Sequence, residues 1–321
     1  MSLIEQAARR LEQLRQAGVV LPDEAPAPQA ALARAAAELP EPLAPTLPQH
    51  PPAPPVTSRS ITLDLDMLAA KGIVTPNAPR SFIADQYRVI KRPLISNATG
   101  RGEVAVKHAN LIMVTSALSG EGKSFTSINL AMSIAAELDH TVMLVDADVA
   151  RPSVLKVLGL EPAPGLLEVL EGKADLSSTL LRTNVDKFTI LPSGTPHPKA
   201  TELLASEGMA ALLEDIATRY SDRIVIFDSP PLLLTTESRV LASHMGQIVI
   251  VVHAGRTLQA EVQHALATIE SCPIRLMLLN KARAVGKDSY GYGYGYGYGY
   301  GYGYGYGYGG NDQAKPSKPA D

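Results

Sequence analysis

One cysteine, Cys272, occurs in 321 residues. That excludes an intramolecular disulfide and fits a reducing compartment. No run approaches the roughly 18 apolar residues of a membrane-spanning helix, so no transmembrane segment is expected. The opening stretch MSLIEQAARRLEQLRQAG lacks a long apolar core and does not read as a secretory signal. Neither sign of charge is in large excess. The formal net charge is −3, too small for bulk attraction to nucleic acid or anionic lipid. The expectation is a cytoplasmic protein that binds no nucleic acid. The seven histidines show no metal-ligand spacing, and His244, His253 and His264 read as surface or packing residues. No G-x-G-x-x-G follows a strand pattern, which argues against a dinucleotide oxidoreductase.

What is present divides by composition. Residues 1–20 carry Ile4, Ala7, Ala8, Leu11 and Leu14 at helical spacing, the pattern of a short amphipathic helix. Residues 21–60 are rich in proline and alanine, with PQHPPAPP at 48–55, and read as a stiff, solvated linker. Residues 61–286 have a globular pattern, and the 45% hydrophobic content can supply its core. Residues 287–321 are of low complexity.

Within 61–286, short Val/Ile/Leu runs alternate with helical segments. Candidate strands are Leu111–Thr115, Thr141–Val145, Phe188–Leu191, Arg223–Phe227, Gln247–Val252 and Arg275–Leu279. Candidate helices include Lys123–Glu137, Thr201–Tyr220 and Thr257–Glu270. Near-continuous apolar strands imply a sheet covered on both faces, hence a doubly wound, mostly parallel α/β domain. Ligands in such sheets bind beyond the carboxyl ends of the strands.

The residues there are chemically suggestive. After the first strand comes SALSGEGKS, Ser116 to Ser124, then a helix. This fits G-x-x-x-x-G-K-[ST] except that Ala117 replaces the first glycine. The expected nucleotide-binding residues are Gly120, Glu121, Gly122, Lys123, Ser124 and Phe125. Backbone amides and the helix N-terminus face the phosphates. Lys123 reaches the β/γ-phosphates, and the Ser124 hydroxyl ligates Mg2+. The next strand runs into Asp146-Ala147-Asp148, and another into Asp228-Ser229-Pro230-Pro231. Phosphoryl transfer needs carboxylates at such positions to hold magnesium or take a hydroxyl proton. The expected ligands are ATP and Mg2+, with Ser124, Asp146, Asp148 and Asp228 as the metal set.

The tail offers an acceptor. Tyr290, Tyr292, Tyr294, Tyr296, Tyr298, Tyr300, Tyr302, Tyr304, Tyr306 and Tyr308 alternate with glycine, whereas the rest of the chain has only Tyr87 and Tyr220. The composition predicts a flexible, coreless array of phenols, open to phosphorylation. Multiple phosphates would charge and extend it.

SALSGEGKS, VDADVARP, FDSPP and the tyrosine cluster together resemble the bacterial tyrosine kinases of the P-loop class, from about Ser81 to the tail. Those motifs are the family's Walker A, Walker A′ and Walker B. The resemblance implies protein-tyrosine autokinase activity with Lys123, Asp146 and Asp148 catalytic. It also implies a magnesium-site role for Asp228 and autophosphorylation of the tail. Asn280 resembles a base-contacting asparagine of related P-loop ATPases. The segment from Asp85 to Lys91 resembles the family's E-x-x-R-x-x-R self-association motif. Asp85, Arg88 and Lys91 would then lie close to one helix face and build a ring-shaped homo-oligomer phosphorylating in trans. The N-terminal helix and IADQYRVIKRPLISNA resemble a subgroup of cytoplasmic autokinases linked to exosortase and exopolysaccharide loci. This implies peripheral placement at the inner membrane through a chain-length-determinant protein that acts as activator.

Two alternatives share features of this sequence. Septum-positioning and plasmid-partition ATPases have the same fold but carry an early loop lysine, where Leu118 and Ser119 stand here. A non-enzymatic adaptor would use nucleotide only to set conformation and the tail as an aggregating tract.

Overall fold

The computed structural model describes residues 58–76, 81–219 and 222–282. The N-terminal helix, nearly all of the Pro/Ala-rich linker and the tyrosine tail lie outside the described residues.

The chain order begins β1 (Arg59–Ser60), α1 (Leu65–Ala70), α2 (Phe82–Ala98), β2 (Leu111–Ser116), α3 (Lys123–Ala135) and β3 (Thr141–Asp146). It continues α4 (Val154–Leu158), α5 (Leu166–Leu170), α6 (Leu176–Thr179), β4 (Leu181–Arg182), β5 (Phe188–Leu191), α7 (Ala200–Leu204) and α8 (Glu207–Arg219). It closes with β6 (Arg223–Asp228), α9 (Glu237–Ala242), β7 (Gln247–His253), α10 (Gln259–Ala267) and β8 (Ile274–Asn280). The strands form one eight-stranded sheet ordered β1-β4-β5-β3-β6-β2-β7-β8. Every pairing is parallel except β4 with β5. This is the doubly wound, mostly parallel P-loop architecture that the alternating pattern predicts.

Strand β2 shows why its residues run apolar without alternation. Ile112 and Val114 enter one core with Ile128 and Leu130 of α3, while Leu111 and Met113 enter a second with Leu213 and Ile216 of α8. With a period of two, both faces are buried. Each fully buried side chain of this kind contributes about 1.5–3 kcal/mol relative to exposure. The central strands are thereby rigid, and their carboxyl ends are fixed points for the loops that follow.

Three expectations change. The single helix expected over 201–220 is two, α7 and α8. Ser206 separates them: its Oγ donates to the Leu203 carbonyl (2.7 Å) and accepts from Met209 N–H (3.2 Å), ending one helix and capping the next. The linker assigned to 21–60 yields its last residues to the sheet, since Arg59 and Ser60 pair with Leu181 and Arg182. A two-residue strand is too short to show periodicity.

The third concerns α2. Ser81 caps this helix by accepting from Ala84 N–H, and Asp85 and Arg88 pair with each other on its exposed side. Lys91 does not share their face. At 100° per residue, position i+6 lies about 120° from position i, and this turns Lys91 into the domain. It is buried; its ammonium donates to the Ser133 carbonyl at the end of α3 and lies 2.7 Å from the Glu137 carboxylate. Lys91 thus anchors α2 onto α3, beneath the nucleotide loop's own helix. Replacing Lys91 by alanine should lower stability by about 1–3 kcal/mol in urea denaturation, because the buried Ser133 carbonyl loses its donor while the half-buried Glu137 keeps only the more distant Arg92. Arg88→Ala, on the exposed pair, should change it by less than about 0.5 kcal/mol.

Candidate active site

The loop between β2 and α3 is built on two left-handed glycines, Gly120 (φ 82°) and Gly122 (φ 100°). A Cβ on Gly122 would lie 2.2 Å from Asn280 Nδ2, so glycine is required there on two grounds. Ala117 needs no such freedom: it is fully buried, and it is absent from the left-handed residues of the described chain. This explains why alanine can stand at the first glycine position of the motif.

Side chains that the motif does not specify hold the loop's shape. The buried Glu121 carboxylate accepts from Leu118 N–H (2.6 Å) within the loop and from the Thr257 hydroxyl beyond β7. Asn280 Nδ2 donates to the Glu121 carbonyl (2.9 Å), and Lys281 Nζ donates to the Gly120 carbonyl (2.8 Å). The Glu121 side chain is therefore a brace, and Asn280, expected at a base, contacts the loop itself. The Phe125 ring packs against the core on the α2 side. Lys281 and Thr257 carry no sequence signal as site residues; only the fold brings their strand ends to the loop.

The three aspartates converge on the loop. Asp146 and Asp228 are opposite residues in the register of adjacent strands β3 and β6. Asp146 Oδ2 accepts from the backbone N–H groups of Ser153 and Val154, both at 3.0 Å, and Asp228 Oδ1 accepts from the Ser127 hydroxyl at 3.0 Å. Asp148 stands 4.0 Å from the Lys123 ammonium. Ser124 Oγ accepts from the Ser153 hydroxyl at 2.6 Å. Ser127 carries no motif signal in the sequence, whereas Ser153 directly follows the VDADVARP stretch and is within reach of the same pattern.

Burial and the facing Asp228 push the Asp146 carboxyl up to about 7. Burial likewise raises Asp228 to about 6, against the opposing pull of the Ser124 and Ser127 hydroxyls and Lys123. Asp148 is raised by burial, with Lys123 working against the shift. Asp146 Oδ1 and Asp228 Oδ2 are buried and have no hydrogen-bond partner, a costly arrangement for acceptors. A divalent cation fits this donor set. Among the described residues no group of three or more His, Cys, Asp or Glu forms a metal cage. Magnesium commonly uses one or two carboxylates, waters and the phosphates of its nucleotide.

Beside Asp146 opens a cavity of about 570 Å³, with Pro152, Leu155, Leu160, Ala163 and Pro196 among its walls. Its walls are mostly apolar, with Asp146, Glu161 and Lys156 as the charged side chains at its edge, dimensions and chemistry that admit a phenol.

Residues 107–179 match the family described as "ParA: NUBPL iron-transfer P-loop NTPase". The chain is 30% identical over 223 residues to the tyrosine-protein kinase YwqD of Bacillus subtilis, covering 69% of this chain and 90% of that protein. The chain belongs to the bacterial tyrosine-protein kinases. It is also 31% identical over 186 residues to the tyrosine-protein kinase wzc of Salmonella typhi, across 57% of this chain but 26% of that longer protein. The kinase domain of the Escherichia coli tyrosine kinase ETK superposes with a TM-score of 0.53 at 26% identity, over 71% of this chain and 97% of that domain. The sequence resemblance to this kinase family is thus established on most of the folded domain.

The two raised aspartates have a consequence for stability. In the folded kinase they keep protons at pH values where the unfolded chain, with ordinary carboxyls near 3.8, has lost them. The nucleotide-free protein should therefore lose stability as pH rises between about 4 and about 7. Carboxyls held low, such as that of Glu137 by Lys91, act below that window. Denaturation midpoints in EDTA should fall from about pH 5 to about pH 7.5, and Asp228→Asn should flatten the decline. Mg·ADP should raise the midpoint more at about pH 8 than at about pH 6, since protons compete for the same oxygens.

Proposed function

We propose that the chain is a magnesium-dependent protein-tyrosine autokinase that transfers the γ-phosphoryl group of ATP to Tyr290–Tyr308. The observation that carries this is the mostly apolar cavity bordered by Asp146, whose partner on the neighbouring strand is the buried Asp228. The loop amides and Lys123 hold the phosphates, while Ser124, Asp146 and Asp228 would hold a magnesium ion, which would supply neutralisation of the developing phosphate charge. Asp148 steadies the Lys123 ammonium. A tyrosine ring seated among Leu155, Leu160 and Pro196 presents its phenol to the loop. Its oxygen bonds to the γ-phosphorus, the bond to the β-phosphate oxygen breaks, and ADP leaves. The phenolic proton passes to a carboxylate, for which Asp146, at the edge of the cavity, is the nearest acceptor.

The partition-ATPase reading draws on the match over residues 107–179. That segment spans the shared loop and the acidic end of β3 but not that of β6, and its loop has Leu118 and Ser119 where those ATPases carry the early lysine.

The finer proposal places the reaction in trans within a ring-shaped homo-oligomer. Asp85 and Arg88 on the exposed side of α2 support that assembly, and Lys91 supports it only by fixing the helix. By its resemblance to exopolysaccharide-linked autokinases, the kinase would regulate polymer synthesis or export. It would dock at the inner membrane on a chain-length-determinant partner. Among the described residues no helix is long and apolar enough to cross a membrane. The proposed domain division is an N-terminal helix at 1–20, a linker to about 58, the kinase domain to 286 and the acceptor tail.

Intact-mass measurement after incubation with Mg·ATP should show successive phosphate additions confined to the tail. Lys123→Met or Asp146→Asn should slow labelling at least about 100-fold. Unmodified wild-type protein, even with a partner's cytoplasmic segment added, would overturn the reading.

A further inference from the structure

Strand β8 is the last strand of the sheet. It pairs with β7 on one side, and among the described residues nothing pairs with the other. Proteins ordinarily blunt such an edge with charge, proline, a bulge or a covering segment. This one has seven residues, IRLMLLN, with one charged side chain, Arg275, and no proline. Its side chains alternate in exposure. Met277 and Leu279, each about two-thirds exposed, line a groove of about 450 Å³ with Val262 and Leu266 of α10. An apolar edge of this length is a template for an added strand.

The segment that follows β8 has the matching pattern. The described chain ends at Ala282, two residues beyond the strand, and Tyr290 lies eight residues further on. Tyrosine recurs at every second position to Tyr308. In an extended chain that period places all the rings on one face and leaves glycine on the other. A connection this short suits an antiparallel return along the strand just left. Rings placed opposite Met277 and Leu279 would fall on the α10 side, where aromatic–aliphatic cross-strand pairs and sulfur–aromatic contacts stabilise a sheet.

We propose that the unphosphorylated tyrosine tail docks as an antiparallel strand on the free edge of β8, its rings covering the Met277–Leu279 groove. This rests on the reading of the tail as phosphoryl acceptor and adds a regulated state to it. The tyrosines that pair along the seven-residue strand, about four at a time, are withheld from a neighbour's cavity. A phosphotyrosine dianion cannot be buried against Met277 and Leu279, so each phosphate favours release. Progressive phosphorylation therefore clears the edge. Because β8 ends in Asn280, next to the Lys281 that also grips the loop, tail and nucleotide act on one strand.

The test is amide hydrogen exchange over Ile274–Asn280 in the full-length, nucleotide-free protein. It is compared with a full-length variant carrying serine at the ten tail tyrosines, and with Met277→Glu. The docked tail predicts that both variants exchange their outward-facing β8 amides at least about tenfold faster than wild type, with the rest of the sheet unchanged. Wild-type protein phosphorylated by Mg·ATP should behave like the variants. Equal exchange in wild type and the serine variant would overturn the proposal. So would protection that grows with protein concentration and persists in the serine variant, which would assign the edge to a second copy of the chain. Intact mass on the same samples separates this from the acceptor reading. Phosphate uptake without tail-dependent protection sinks only the docking, whereas tail-dependent protection without uptake sinks only the acceptor role.

Discussion

Asp146 and Asp228 end adjacent parallel strands in register, both buried, and each keeps one oxygen without a partner. Two carboxylates in this setting repel one another and resist ionisation. The protein tolerates them because the surrounding scaffold leaves them no escape. β3 and β6 are buried on both faces, so neither strand end can retreat into solvent. The α4 amides and the Ser127 hydroxyl fix the remaining oxygens. The result is a stored electrostatic demand for a cation, placed directly behind a loop built for phosphate.

The loop depends on the same scaffold. Its glycines permit the required turns but do not enforce them. Enforcement comes from Glu121 within the loop and from Asn280 and Lys281 reaching across from β8. Lys91 acts one layer out by clamping α2 to the far end of α3, the helix whose N-terminus faces the loop. A site of this kind is preorganised, which is where electrostatic catalysis draws its advantage.

Much of this was legible in the residues alone. The apolar strands, the phosphate loop and the acids after β3 and β6 follow from period and position, because a strand buried on both faces leaves little room for other residues. The missed features share a different cause. Lys91 reads by its spacing as a partner of Asp85 and Arg88 on one helix face, and only the buried Ser133 carbonyl and the Glu137 carboxylate explain its inward turn. Ser127, Thr257 and Lys281 act through contacts that span roughly a hundred residues or more of chain, and no local pattern encodes those. The break at Ser206 came from a single capping hydroxyl inside a long helical pattern. Asn280 was found by analogy, yet its amide braces the loop, a role set by the closeness of Gly122.

The central claim is that Asp146 and Asp228 share a proton-rich site which magnesium discharges as nucleotide binds. The most direct measurement is calorimetric titration of Mg·ATP into the Lys123-intact, tail-serine protein in buffers of differing ionisation enthalpy. From raised carboxyls near 7 and 6, the account predicts release of roughly one proton per bound nucleotide near pH 6.5, falling towards zero above about pH 8.5. It also predicts that Asp146→Asn removes most of that release. Magnesium-dependent binding with no proton release at any pH between about 6 and 8.5 would contradict it.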